Sequence, residues 1–364
     1  MNRNKLLLAE RSVDKRQFLK NSAAALSVLP LVGCSLTAQA ASTTLATKGR
    51  TLPKRLQKGD TVGLIASSAA VADQEDLVIA TEVLQALGFN VKAGRFYTER
   101  HGHLAGRDAD RASDLNAMFA DPEVKAIICA RGGSGAARIL PLLDYEMIRR
   151  NPKPLLGYSD ITALHNALLA KAGLVSFHGP NGIGSWNAFN VDQFERMFFQ
   201  QELLTYQNEQ ESKGELVNRE NRTRVITLGK AQGELMGGNL TVLTSLAGTP
   251  YLPDFQDKIL FLEDIEEQPY RIDRMMSTLK LMGALDKIKG FVFGDCNRCT
   301  PGNGWGSLTL DEIFADFIKP LGIPAYRGAM IGHIPKQFIL PVGAKVEMDA
   351  NAGTLRLLEP VFQR

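Results

Sequence analysis

Lys153-Pro-Leu-Leu-Gly-Tyr-Ser-Asp-Ile-Thr162 is the stretch on which the reading of this chain turns. Its apolar half, ending at Gly157, reads as a short buried strand. From Asp160 the run Ile-Thr-Ala-Leu-His-Asn-Ala-Leu-Leu-Ala170 carries apolar residues at helical spacing. A strand that breaks directly into a helix at Ser159 lifts the serine hydroxyl above a sheet, and the Asp160 N–H faces the same space at a helix N-terminus. The residues also read as an ordinary helix N-cap, for which Ser and Asp are favoured. The glycine usual two positions after an elbow serine is replaced by Ile161.

Upstream, the chain alternates strand and helix: Asp60-Thr-Val-Gly-Leu-Ile-Ala66, a helix over Glu75 to Leu87, a helix over Ala109 to Phe119, and a strand over Lys125 to Cys129. That alternation predicts a mainly parallel sheet covered by helices. Downstream, a polar stretch rich in Glu, Gln and Asn separates it from a second α/β lobe. The expected division is 1–48 as export signal and linker, 49–190 as the lobe with Ser159, 191–224 as a crossing region, and 225–364 as the second lobe. No internal repeat is evident.

Two segments of the second lobe bear on Ser159. Lys258-Ile-Leu-Phe-Leu-Glu-Asp-Ile265 is a buried-strand pattern that ends in carboxylates at Glu263 and Asp264, and Ala329-Met-Ile-Gly-His-Ile-Pro335 places His333 after a glycine at a strand-to-loop transition. Nucleophile, acid and base then follow in chain order, although order alone is not diagnostic because such triads recur on unrelated folds. Amide hydrolysis by a serine needs a base, a group that orients it, and N–H donors for the oxyanion. Arg131-Gly-Gly-Ser-Gly135 follows a strand and lacks side chains where a backbone must approach closely, which makes Gly133 and Asp160 the expected oxyanion donors. A plain strand-to-helix turn is the competing reading, and a phosphate cradle is weaker because the Lys-Ser/Thr ending is missing. Among the five histidines, His178 competes with His333 as a residue bordering the site.

At these residues the chain resembles the LD-carboxypeptidase family of serine peptidases. The resemblance runs from about Leu52 to the end. It rests on Ala130-Arg-Gly-Gly-Ser-Gly135, Gly157-Tyr-Ser-Asp160, His178-Gly-Pro180, Gly237-Gly-Asn-Leu-Thr241, Phe261-Leu-Glu-Asp264 with Tyr270-Arg-Ile-Asp-Arg274, and Gly332-His333. It implies Ser159 as nucleophile, Glu263 as relay acid and His333 as base. It also implies an amidotransferase-like first lobe, a smaller swivelling β-rich second lobe, and release of D-Ala from murein tetrapeptides. Ser134 stands where the family commonly has an aromatic residue, a departure that bears on the shape of the substrate pocket. Relatives that resemble the microcin C immunity peptidase offer cleavage of a peptidyl-nucleotide amide as a second reading. A two-lobed periplasmic binding protein without chemistry is a third. Arg131, Ser134, His178, Asn239, Arg271 and Arg274 are the expected substrate contacts, the arginines because a buried terminal carboxylate needs a cation.

The 364 residues, 45% of them hydrophobic, suffice for a full core, and a formal charge of +3 gives no argument for nucleic acid. Neither cofactor nor metal is expected. Cys296-Asn-Arg-Cys299 is a lone C-x-x-C without two further ligands at matching spacing, and it is left open between a small disulfide and packing thiols. The N-terminus reads as a bacterial signal: Asp14-Lys-Arg-Gln-Phe-Leu-Lys20 resembles a twin-arginine motif with Lys15 in the first position, followed by a mild apolar stretch. Leu31-Val-Gly-Cys34 resembles a lipobox, and Ala38-Gln-Ala40 a cleavage site that would leave Ala41 first. The expected surroundings are therefore the periplasm, with a muropeptide substrate, a membrane tether through lipidated Cys34, and a homodimer as an open case.

Replacing Lys15 and Arg16 together is expected to leave full-length precursor in the cytoplasm, and mass analysis of the mature N-terminus separates Cys34 from Ala41. Unchanged export would assign the chain to another route.

Overall fold

The computed structural model describes residues 49–363 apart from 211–215, 219 and 303–305. The expected export signal, with Lys15, Cys34 and Ala41, lies outside the described residues.

The first sheet is built from β1 (Thr61–Ile65), β2 (Asn90–Ala93), β3 (Val124–Cys129), β4 (Leu155–Gly157) and β5 (Ser176–His178), all parallel. Helices α1 (Gln74–Ala86), α2 (Asp108–Ala120), α3 (Ala136–Ile139), α4 (Tyr145–Arg150) and α5 (Thr162–Ala172) belong to the same part of the chain. The central strands are near-continuous apolar runs because both faces are covered, as in Ala126-Ile-Ile-Cys129 and Leu155-Leu156, all buried. Asp73 caps α1 by accepting from the Glu75 N–H at 2.9 Å. After α6 (Ala188–Phe194), strands β6 (Thr205–Tyr206), β7 (Arg224–Thr227), β8 (Lys230–Asn239), β9 (Lys258–Ile265), β10 (Gly290–Asn297) and β11 (Ala325–Arg327) enter a second, mixed sheet. With them come α7 (Leu240–Ser245), α8 (Pro269–Leu281) and α9 (Leu310–Phe317). Strand β12 (Leu340–Val342) then leaves for the first sheet, and β13 (Lys345–Asp349) and β14 (Thr354–Leu357) join the second, whose order among the described residues is β6-β14-β13-β8-β9-β10-β11-β7.

The fold is thus the two-sheet α/β architecture expected, with six strands in one sheet and eight in the other among the described residues. Two short strands cross the boundaries expected from sequence. β6, from the polar crossing region, pairs antiparallel with β14. β12, from the second lobe, pairs antiparallel with β5, and its Leu340 faces His178 in register. Each follows from edge pairing: a two- or three-residue strand satisfies an exposed row of backbone groups without a periodic pattern of its own.

Helix α5 carries the junction. Most of its residues are buried, polar Thr162, His165 and Asn166 included, because it packs on the first sheet and also on the end of β8. The Thr162 hydroxyl oxygen accepts from the Asn239 N–H at 2.9 Å, and Asn166 Nδ2 donates to the Gly237 carbonyl at 3.0 Å. Gly238, at φ 126°, lets β8 approach α5 this closely, since a Cβ there would stand 2.4 Å from Thr162 Oγ1, and Gly237, at φ 140°, packs against β9, where a Cβ would stand 1.7 Å from the Phe261 carbonyl oxygen. Gly237→Ala is therefore expected to lose about 3 kcal/mol or more of stability in denaturant titration. An unfolding midpoint equal to that of the unaltered protein would show that the strand relaxes around the added methyl group.

Candidate active site

Ser159 sits at φ 65°, a left-handed conformation that costs a non-glycine residue energy and that recurs where a side chain must be aimed. The elbow is clamped from three sides. Asn181 Oδ1 accepts the Tyr158 N–H at 3.2 Å. His165 spans from Ser176 Oγ to the Gly157 carbonyl, both at 2.8 Å. Gly132 lies against the serine itself, since a Cβ there would be 2.7 Å from Ser159 Cβ.

The glycine-rich loop is fixed over the elbow by charge. The Asp160 carboxylate accepts from the Ala136 N–H at 2.8 Å and from the Ser68 hydroxyl. On the other side the buried Arg111 guanidinium donates to the Ser67 and Gly135 carbonyls at 2.7 and 2.9 Å and pairs with Asp108 at 2.6 Å. Among the described residues, the Gly133 and Asp160 N–H groups donate to no protein acceptor.

Across the junction, β9 delivers Glu263, which is wholly buried, and the loop after Gly332 delivers His333. His333 Nε2 lies 3.0 Å from Ser159 Oγ, and its Nδ1 lies 2.8 Å from Glu263 Oε2. Gly332 is needed at φ 115°, where a Cβ would meet Glu263 Oε2 at 2.7 Å. The Tyr158 ring packs 4.9 Å from the imidazole. Burial alone would push the His333 pKa down, but the hydrogen bond and charge of Glu263, with the charges of Asp264 and Asp295, outweigh it and raise the value. Asp264 is pushed up to about 6, first by burial and then by the Glu263 charge. It is held by Asn239 Nδ2 at 3.1 Å and by the Thr241 N–H and hydroxyl at 3.0 and 2.9 Å.

Ser159, Glu263 and His333 come together, with Gly133 and Asp160 on the nucleophile side. Other expected residues are placed differently. His178 is fully buried behind Tyr158 and against Phe261, so it is not a pocket-lining group, and burial holds its pKa well below the ordinary value. Asn239 is buried, its Oδ1 capping α7 through the Val242 N–H at 3.0 Å and its Nδ2 spent on Asp264, which makes it an internal support and not a substrate contact. Arg271 and Arg274 lie exposed over the Tyr270 ring, at 5.8 and 5.4 Å. Arg131 is half-buried with one donor on the Ala70 carbonyl at 3.2 Å, and Ser134 is exposed. Cys296 and Cys299 form a disulfide. Sequence reasoning missed Arg111, His165, Asn181 and Tyr158. The first three support the backbone around the serine and its loop and leave no motif, although Tyr158 adjoins the serine and was there to be read. Among the described residues, no group of three or more His, Cys, Asp or Glu side chains is arranged to hold a metal, and no helix is long and apolar enough to cross a membrane.

A serine, an imidazole and a buried carboxylate in hydrogen-bonded series, beside two free N–H groups, define a serine-hydrolase type of site on a two-sheet scaffold. The chain belongs to the LD-carboxypeptidase family: the model of its N-terminal domain matches residues 62–179 and that of its C-terminal domain residues 232–348. A probable murein peptide carboxypeptidase of Bacillus subtilis is 43% identical over 83% of this chain and 92% of its own length. The solved muramoyltetrapeptide carboxypeptidase from Oxalobacter formigenes superposes with a TM-score of 0.68 at 30% identity, over 82% of this chain and 97% of that one. The microcin C7 self-immunity protein MccF of Escherichia coli is 28% identical over 84% of this chain and 94% of its own length. A structure of MccF in complex with glutamyl sulfamoyl guanosine superposes with a TM-score of 0.77 at 27% identity, over 86% of this chain and 100% of that one. These relatives support a serine-type peptidase.

Imidazole titration by NMR checks the electrostatics. His333 is expected to lose its proton at a pH above its ordinary 6.5, and Asp264→Asn to bring that midpoint down. His165, held by burial at about 4, and His178 are expected to stay neutral near pH 6.5. Because folding raises the His333 pKa, its proton contributes stability that is full below about 6.5 and is lost as the pH rises through the folded value. A His178 signal titrating near 6.5 would contradict the buried placement.

Proposed function

We propose that this chain is a serine carboxypeptidase that hydrolyses the L-to-D peptide bond holding the terminal D-Ala of murein tetrapeptides, in cell-wall recycling or remodelling. The observation that carries the reading is the continuous path from Ser159 through His333 to Glu263, at 3.0 and 2.8 Å. The names of the murein carboxypeptidase relatives supply the substrate class.

In this mechanism His333 Nε2 takes the Ser159 proton as Oγ bonds to the scissile carbonyl carbon. The carbonyl π pair moves onto oxygen, where the Gly133 and Asp160 N–H groups receive it. Collapse breaks the C–N bond, and His333 passes its proton to the departing D-Ala amine. A water molecule, deprotonated by the same imidazole, then cleaves the acyl ester. Glu263 holds Nδ1–H and stabilises the imidazolium at each stage. We assign the substrate's terminal carboxylate to Arg131, whose neighbour Gly132 touches the nucleophile, ahead of Arg271 and Arg274, which share an exposed tyrosine ring. Export to a bacterial periplasm by a twin-arginine-like signal belongs to the same reading, on the residues around Lys15-Arg16.

Cleavage of a peptidyl-nucleotide amide is the second reading, favoured by the likeness to MccF, and it would use the same three side chains. A non-catalytic binding protein would need none of them in series.

Purified protein offered murein tetrapeptide is expected to release D-Ala and leave tripeptide, with the C-terminal amide of the same peptide a poor substrate. The rate should rise with pH through a midpoint above 6.5, because only neutral His333 accepts the proton. Ser159→Ala, Glu263→Ala and His333→Ala are each expected to lower turnover about a thousandfold or more. Near-normal turnover by Ser159→Ala would sink the mechanism. Preference for a peptidyl nucleotide would move the assignment to the second reading, and equal rates on acid and amide would remove the carboxylate clamp.

A further inference from the structure

Asn297 is the last residue of β10 and lies inside the short ring closed by the Cys296–Cys299 disulfide. Its Nδ2 donates to the backbone carbonyl of His333 at 2.8 Å. Its own carbonyl accepts the Glu266 N–H at 2.8 Å, just past the strand that delivers Glu263. One residue therefore touches the loop of the base and the strand end of the acid together. In register, Cys296 pairs with Asp264 and Asn297 with Ile265.

The turn that presents Asn297 is fixed by covalent and non-covalent ties. Within the disulfide ring the Cys299 N–H donates to the Cys296 carbonyl at 3.1 Å, and Arg298 sits at φ 57° with its guanidinium 2.5 Å from Glu266. An exposed ion pair of that kind contributes little by itself. The disulfide, by contrast, removes alternative conformations of the turn, and with them positions of the Asn297 amide that would miss His333.

We infer that Asn297 is a positioning residue for His333, and that the Cys296–Cys299 disulfide keeps Asn297 in place for that task. The inference rests on the reading of Ser159 and His333 as nucleophile and base. Its physical content is orientation. The imidazole must meet Ser159 Oγ and Glu263 Oε2 at once, and slack of an ångström in the loop that carries it loses both contacts. Loosening would also weaken the Glu263 interaction that raises the His333 pKa, so the base should titrate lower as well as react more slowly.

The test is acylation of Ser159 in the purified full chain by a fluorophosphonate, which needs the nucleophile and base but no muropeptide, followed as rate against pH. Asn297→Ala is expected to react about tenfold more slowly than the unaltered protein, with its midpoint displaced towards 6.5, while Asn297→Gln, which keeps the donor, recovers part of the rate. The Cys296→Ser/Cys299→Ser double variant should move both readouts the same way by a smaller amount. So should protein reduced with a phosphine, which is itself oxidised to the phosphine oxide with oxygen from water as two thiols form. If Asn297→Ala keeps the normal rate and midpoint, Asn297 has no positioning role. If reduced and double-variant proteins match the oxidised protein, the disulfide has none. Should Asn297→Ala fail to fold, the reduced protein decides by the same two readouts. A folded, unaltered protein inert to the reagent would overturn the serine reading and this inference with it, whereas normal reactivity with unresponsive variants overturns the inference alone.

Discussion

The contact between the Thr162 hydroxyl and the Asn239 N–H holds two sheets in one register. Thr162 is three residues past the nucleophile, and Asn239 lies opposite Glu263 in the pairing of β8 with β9. A shift of this one hydrogen bond would move serine and carboxylate relative to each other with no change in either sheet. A neutral hydrogen bond contributes only about 1 kcal/mol, too little to impose such a register alone. The glycine pair supplies the rest by steric necessity, since a side chain on Gly238 would meet Thr162 of α5 and one on Gly237 would meet Phe261 of β9. Geometry at the site is therefore set by packing, and the polar contacts select one arrangement among those that packing allows.

The same economy governs the charges. Glu263, Asp264 and Asp295 crowd one imidazole, and burial raises the pKa of both aspartates. A lone buried histidine goes the other way, as His165 does at about 4. What separates His333 from His165 and His178 is thus the company of carboxylates. Burial pushes all three down, though His165 and His178 are wholly buried and His333 only in part. The cost of crowding like charges is met partly by hydrogen bonds that bind Asp264 to α7 and partly by its own tendency to take up a proton.

How much of this was legible depended on whether a residue acts through its side chain in a local pattern. The elbow was readable because an apolar strand and a helical period meet at Ser159, and the acid and base because each stands at a strand-end pattern within a motif that the family resemblance identifies. His178 carried an equally suggestive setting, a strand followed by Gly179-Pro180, yet it faces Phe261 inside the core. No one-dimensional pattern distinguishes the two sides of a three-residue strand. Asn239 was an expected substrate contact, and its amide is consumed by the cap and by Asp264. The fate of Cys296 and Cys299 was undecidable from spacing, because thiols and disulfides share it. Arg111 was invisible for another reason: a buried guanidinium that serves carbonyls 24 and 44 residues away leaves no trace near either of them.

Strand β12 carries a consequence for the order of synthesis. The edge of the first sheet beside β5 is closed by residues 340–342, which are synthesised after every other strand of that sheet. Until then β5 presents an open row of backbone donors and acceptors, and the lobe that carries Ser159 cannot finish assembling however long translation pauses. His333 arrives only seven residues before Leu340 in the sequence. Closure of the sheet and completion of the site are thus the same late event, so a truncated or half-made chain holds a nucleophile without a base.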